Sequence, residues 1–158
     1  MQVGKVCGLT AAHSYEFNKE AEHPVIHLMA DQKDITQMGG TMRLGSYPAV
    51  LAEGSRIREI YNTAEISERH RHRFEVNNTY RDTFTKSGLT LPGLSPDGKL
   101  VETIEIAEHP WFVGVQYHPE LKSRPLAPHP LFREFVRATV EYRCAREIAV
   151  PSEQPADR

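Results

Sequence analysis

The chain has 158 residues, 39% of them apolar and 25% charged, with a formal net charge of −2. That length suits one domain with its own core, and the charge gives no general pull toward nucleic acid or acidic membranes. No apolar run approaches the roughly 20 residues that cross a bilayer, no secretory signal opens the chain, and Cys7 and Cys144 make no disulfide framework, so the expectation is a cytoplasmic protein without nucleic-acid or membrane partners.

Met1 to Leu9 is too short for an element of its own and reads as the last turns of a helix begun elsewhere. Thr10 to Glu22 is polar and irregular, and Pro24 to Met29 is strand-like. Gly39-Gly40 predicts a turn into a strand from Thr41 to Gly45; without a surrounding Gly-x-x-x-x-Gly-Lys pattern the glycines fit a hairpin or bulge better than a phosphate cradle. Ser55 is placed to cap a helix over Arg56 to Tyr61. From Glu68 to Val76 strict alternation predicts extended chain, with Arg69, Arg71 and Arg73 on one face and His70, His72 and Phe74 on the other.

That alternating stretch has four readings. It is a nucleic-acid patch, a His70–His72 metal site short of a third ligand, an arginine poised over a substrate carboxylate, or a solvated edge strand. Pattern alone favours the last. Thr79 to Ser87 predicts a helix stopped by Gly88, and Pro96-Asp97-Gly98 a turn joining Leu89–Leu94 and Leu100–Ile106 in a hairpin. Trp111 to Val115 reads as a buried strand. A helix from about Pro130 is expected to lay Leu131, Phe132, Phe135, Val136, Thr139 and Val140 on the sheet and close the domain. Pro151 to Arg158 is polar and proline-bearing, the composition of a disordered tail.

The stretch with most chemistry is His118-Pro119-Glu120, just past the Trp111 strand, where an open α/β sheet gathers its ligands. Two residues apart on extended chain, both side chains project to one side. Glu120 can then hold the tautomer of His118 and leave its other ring nitrogen free as a base. The competing reading is an exposed histidine beside a turn proline. Neither cysteine is a convincing nucleophile: Cys7 lacks the glycines two before and two after that a tight strand-to-helix elbow needs, and Cys144 lies in a charged segment.

Gly39-Gly40-Thr41-Met42-Arg43-Leu44-Gly45, Glu68-Arg69-His70-Arg71-His72-Arg73-Phe74-Glu75-Val76-Asn77, Gln116-Tyr117-His118-Pro119-Glu120 and His129-Pro130-Leu131-Phe132 occur in this order. Together they resemble the class I glutamine amidotransferase domain of the CTP synthase family, from about Gly8 to Tyr142. The resemblance implies a partial α/β, flavodoxin-like domain over residues 1–146, a mixed sheet with flanking helices and its first strands missing, followed by a disordered tail over 147–158. It makes His118 the base, Glu120 its orienting carboxylate, and Glu16 and Arg73 the residues that bind the substrate glutamine. Composition and spacing do not single out Glu16.

The family's nucleophilic cysteine precedes the position of Glu16 by more residues than this chain has there, so the resemblance predicts no nucleophile here, a fragment, and no glutamine hydrolysis by the chain alone. In the family, ammonia passes to a synthetase domain that uses ATP and Mg2+ to aminate UTP, with GTP as effector and a homotetramer as the assembly; none of these cofactors, and no metal, is expected on this chain. The alternative is a non-catalytic glutamine-binding or regulatory module that keeps Glu16 and Arg73.

Overall fold

In the computed structural model, which describes residues 6–28 and 42–149, eight strands form two sheets. The smaller holds β1 (Ala12–Ser14), β2 (His23–Leu28) and β5 (Phe74–Val76) in the order β1-β2-β5, β1 running parallel to β2 and β5 antiparallel to it. The larger holds β3 (Arg43–Leu51), β4 (Glu65–His72), β6 (Leu89–Leu94), β7 (Val101–Ile106) and β8 (Val113–Val115) in the order β4-β3-β6-β7-β8, each neighbour antiparallel. Helices α1 (Arg56–Tyr61), α2 (Arg81–Lys86) and α3 (Pro130–Ala149) and two short 3-10 turns are among the described elements. The fold is α/β with a mixed sheet and flanking helices.

Local chemistry accounts for the connections. Ser55 caps α1 by accepting from the Arg58 N–H at 3.3 Å, and the buried Glu105 carboxylate accepts from Ile57 N–H at 2.7 Å and Arg56 N–H at 3.3 Å. A carboxylate on free N–H groups at a helix start is favoured by both hydrogen bonding and the helix dipole. Asn62 closes α1 in the left-handed region, φ 53°. Gly98 takes φ +72° in the turn between β6 and β7, where its N–H bonds Ser95 C=O at 2.7 Å.

Two apolar clusters flank a polar centre. Ala49, Leu51, Ile57, Ile66, Tyr117 and Leu131 form one, under α1 and the start of α3. Ala12, Val25, Phe84 and Leu89 form the other, with Cys7, Leu9, Ile104 and Ile106 packed against it. Between the sheets lie buried Arg43, His70, Glu75 and Glu102.

Several expectations are corrected. The Trp111–Val115 run is not a buried strand: only Val113–Val115 pairs, as the sheet's edge, and the whole run is half-buried. The polar Thr10–Glu22 segment contains β1, which the parallel pairing with β2 stabilises. The strand expected over Thr41–Gly45 begins at Arg43 and runs on to Leu51. The alternation from Glu68 to Val76 breaks at Arg73, where the chain leaves one sheet for the other; Arg73 is half-buried and does not share the exposed face of Arg69 and Arg71. The helical segment before Gly88 divides into a 3-10 turn, Asn78–Tyr80, and α2.

The largest departure is α3. Of its predicted apolar face only Leu131 is buried, while Phe132, Phe135, Val136 and Val140 are 40% to 60% exposed. Length explains this: α3 has 20 residues, about 30 Å, whereas α1, the helix it packs on, has 6, about 9 Å. Met1–Lys5, Met29, the Gly39-Gly40-Thr41 turn and the Pro151–Arg158 tail lie outside the described residues.

Candidate active site

His118 and Glu120 sit on the turn after β8, with Pro119, Glu120 and Leu121 in a 3-10 turn rather than on extended chain. The turn brings them into direct contact, His118 Nδ1 lying 2.7 Å from Glu120 Oε1. Since a carboxylate only accepts, Nδ1 carries the proton and Nε2 is left free. Both side chains remain open, 37% and 59% exposed. The hydrogen bond from His118 holds the Glu120 carboxyl below its ordinary value, so it is ionised at neutral pH.

The other two site candidates lie at one end of the small sheet. Glu16 is exposed on the turn after β1, where Tyr15 N–H bonds Ile26 C=O at 2.9 Å. Arg73 immediately precedes β5, whose first residue Phe74 pairs with Leu28 at the end of β2. Because β1 runs with β2 and β5 against it, Glu16 and Arg73 flank the same end of β2. The His118 strand is tied to the Arg73 segment by Gln116 Nε2, which donates to Glu75 Oε2 at 3.2 Å.

Behind Gln116, Arg43 donates to Glu102 Oε1 at 2.8 Å and to Glu75 Oε1 at 3.2 Å, its guanidinium 4.5 Å from the Tyr47 ring centre. Two buried carboxylates thus share one guanidinium. Burial is the larger effect at Glu75, outweighing Arg43 and lifting its carboxyl to about 7. His72 Nδ1 faces Phe74 C=O at 3.2 Å and so donates, which makes its Nε2 the acceptor of His70 Nδ1–H at 2.8 Å. Burial first, then the neighbouring Arg43 charge, lowers His70 to about 3 and His72 to about 4, so both rings are neutral. Among the described residues no three His, Cys, Asp or Glu side chains come together to hold an ion.

A second polar group surrounds Glu68. Its Oε1 lies 3.1 Å from the Tyr61 hydroxyl, 3.2 Å from His129 Nε2 and 3.4 Å from Lys122 Nζ. Burial raises the Glu68 carboxyl, but His129, Lys122 and Tyr61 outweigh it and hold the group below its ordinary value. Sequence reasoning missed this group and the Arg43 pairings. The signal was present in part, since Glu68 shares the parity of His70 and His72 on one strand.

Residues 14–138 match the family model described as glutamine amidotransferase class-I. The chain belongs to the class I glutamine amidotransferases. This amidotransferase domain is 60% identical over 138 residues to the CTP synthase of Ruminiclostridium cellulolyticum, covering 87% of this chain and 26% of the relative, and 56% identical over 151 residues to that of Saccharopolyspora erythraea, covering 92% and 27%. The chain thus spans about a quarter of the length of the curated relatives it matches. In fold it is similar to the glutaminase domain of Trypanosoma brucei CTPS with bound acivicin, at a TM-score of 0.80 and 34% identity, covering 89% of this chain and 55% of that one. Among the described residues no helix is long and apolar enough to cross a membrane.

Proposed function

We propose that this domain supplies the base, its orienting carboxylate and the glutamine-binding residues of a glutamine-hydrolysing site that serves CTP formation. The observation that carries this reading is the His118 Nδ1–Glu120 Oε1 contact of 2.7 Å, on a turn of a class I amidotransferase domain. His118 Nε2 takes the proton of a cysteine thiol, and the thiolate attacks the side-chain amide carbon of glutamine. As the C–N bond breaks, that proton leaves with ammonia. Water then attacks the thioester, releasing glutamate and restoring the thiol. Arg73 pairs with the substrate carboxylate through a planar fork, and Glu16 with its ammonium.

The thiol is neither of this chain's two. Cys7 packs against the Ala12–Val25–Phe84–Leu89 cluster, whereas Tyr117, next to His118, belongs to the other. Cys144 is exposed on α3, 14 residues beyond Pro130, about 20 Å along the axis. The ammonia passes to a synthetase portion that aminates UTP with ATP and Mg2+, GTP acting as effector, in a cytoplasmic homotetramer. The described residues offer no cluster suited to that metal, so no step here runs through it.

The test is ammonia release from glutamine by the purified 158-residue chain and by a version carrying a Gly-x-Cys-x-Gly elbow, each beside its His118→Ala variant. The chain alone is expected to release none, and the elbow-bearing form to lose turnover on His118→Ala. Turnover by the chain alone that both His118→Ala and Cys7→Ser abolish would make Cys7 the nucleophile. Full turnover of the elbow-bearing His118→Ala variant would remove His118 from the mechanism.

A further inference from the structure

Among the described residues β4 is an edge of the large sheet and pairs only with β3. The outward carbonyls of β4 are taken by the turn that carries His118 and Glu120. His118 N–H donates to Arg69 C=O at 2.8 Å, and Lys122 Nζ donates to Ser67 C=O at 2.7 Å.

Between those two residues, Glu68 turns its side chain inward, 2% exposed. Its Oε1 meets Lys122 Nζ from one end of the turn. From the other end comes Tyr117, the residue before His118, whose buried hydroxyl lies 3.1 Å from that of Tyr61, itself on Glu68 Oε1. His129 completes the group. Leu131 N–H donates to its Nδ1 at 3.3 Å, which puts the ring proton of the neutral form on Nε2, facing Glu68 Oε1 at 3.2 Å. The bonds from Tyr61, Lys122 and His129 all fall on one oxygen, for Glu68 Oε2 is buried without a hydrogen-bond partner among the described residues.

We infer that Glu68 is a positioning residue for the His118–Glu120 pair: one buried carboxylate fastens both ends of the turn, Tyr117 and Lys122, on which the pair is held. This rests on the reading of His118 as the base. A charged acceptor makes stronger hydrogen bonds than a neutral one, and a catalytic group displaced by about 1 Å costs up to about 10²-fold in rate. Glu68 therefore acts through His118 without touching the substrate.

The spectroscopic signature is the tautomer of His118. Long-range 1H–15N spectra of the chain, recorded where the ring is neutral, distinguish Nδ1–H from Nε2–H, and Glu120 holds the Nδ1–H form. Lys122→Met, Tyr61→Phe and Glu68→Gln are each expected to raise the Nε2–H population at His118. Lys122 is 43% exposed at its side chain, so its variant keeps its fold and reads the clamp even where Glu68→Gln does not fold. In an elbow-bearing form, Lys122→Met and Tyr61→Phe are expected to lower kcat for glutamine by about 10-fold with KM retained, the mark of lost orientation. A wild-type His118 spectrum in both of these variants would overturn the inference, as would a kcat loss with the tautomer unchanged. A tautomer shift as expected, together with full turnover by His118→Ala, would instead leave the clamp standing and refute the catalytic reading.

Discussion

Lowering the pH from 6.5 to 4.5 is expected to cost the chain about 2 kcal/mol of folding stability through two buried groups, His70 and Glu75, and one half-buried group, His72. His70 and His72, ordinarily near 6.5, are held to about 3 and about 4 in the fold. Across this window the unfolded chain protonates both and the folded chain neither, so each group's contribution is lost as pH falls. Glu75 acts in the opposite sense: raised from 4.5 to about 7, it binds its proton in the fold and releases it on unfolding. Two protons taken up against one released leaves a net uptake of about one, worth about 1.4 kcal/mol per pH unit. The side chains are 1%, 14% and 5% exposed, so solvent screens them little. The carboxylates held low, Glu68 and Glu120 among them, add their own loss only below about 4.5. Urea denaturation at pH 6.5, 5.5 and 4.5 gives the slope directly. In His72→Gln one proton is removed from the balance, and the slope should fall close to zero. A flat wild-type profile, stability that rises on acidification, or an unchanged slope in His72→Gln would refute the reasoning.

Two further outcomes are expected. A Cβ added at Gly93 would fall against Thr103 Oγ1 and 2.8 Å from its Cγ2, on the facing strand and fully buried; Gly93→Ala should lower stability by about 1–3 kcal/mol, seen as a lower urea midpoint, which Thr103→Ala should partly restore, and an unchanged midpoint would contradict the packing described. In a full-length protein that also carries the synthetase portion, Arg73→Lys should weaken glutamine use, because a point charge replaces a fork, while synthesis from free ammonia continues; equal loss with both nitrogen sources would make Arg73 a structural residue.

Much of the local structure was legible from punctuation. Ser55, Gly88 and the Pro96-Asp97-Gly98 turn each act within a few residues, and the elements they bound lie where expected. The His118–Glu120 contact was legible for the same reason, though through a 3-10 turn and not extended chain. What escaped depends on distance in sequence. Arg43 meets Glu75 and Glu102, 32 and 59 residues away, and Glu68 meets His129 61 residues away. A single charged residue on a strand gives no sign of which remote partner permits its burial. The face of α3 misled because amphipathic spacing states what a helix could bury and not what stands opposite it.

The use of the β4 edge has a consequence for how copies of the chain meet. An open row of carbonyls and amides on an edge strand is a template on which another molecule's strand can add, the usual route to sheet-to-sheet aggregation. At Ser67 and Arg69 that row is already occupied by the chain's own turn, and the opposite edge, β8, offers only 3 residues. Among the described residues the bare length of α3 is then a further surface on which copies can stick, and polar substitutions at Phe135 and Val136 are expected to improve solubility.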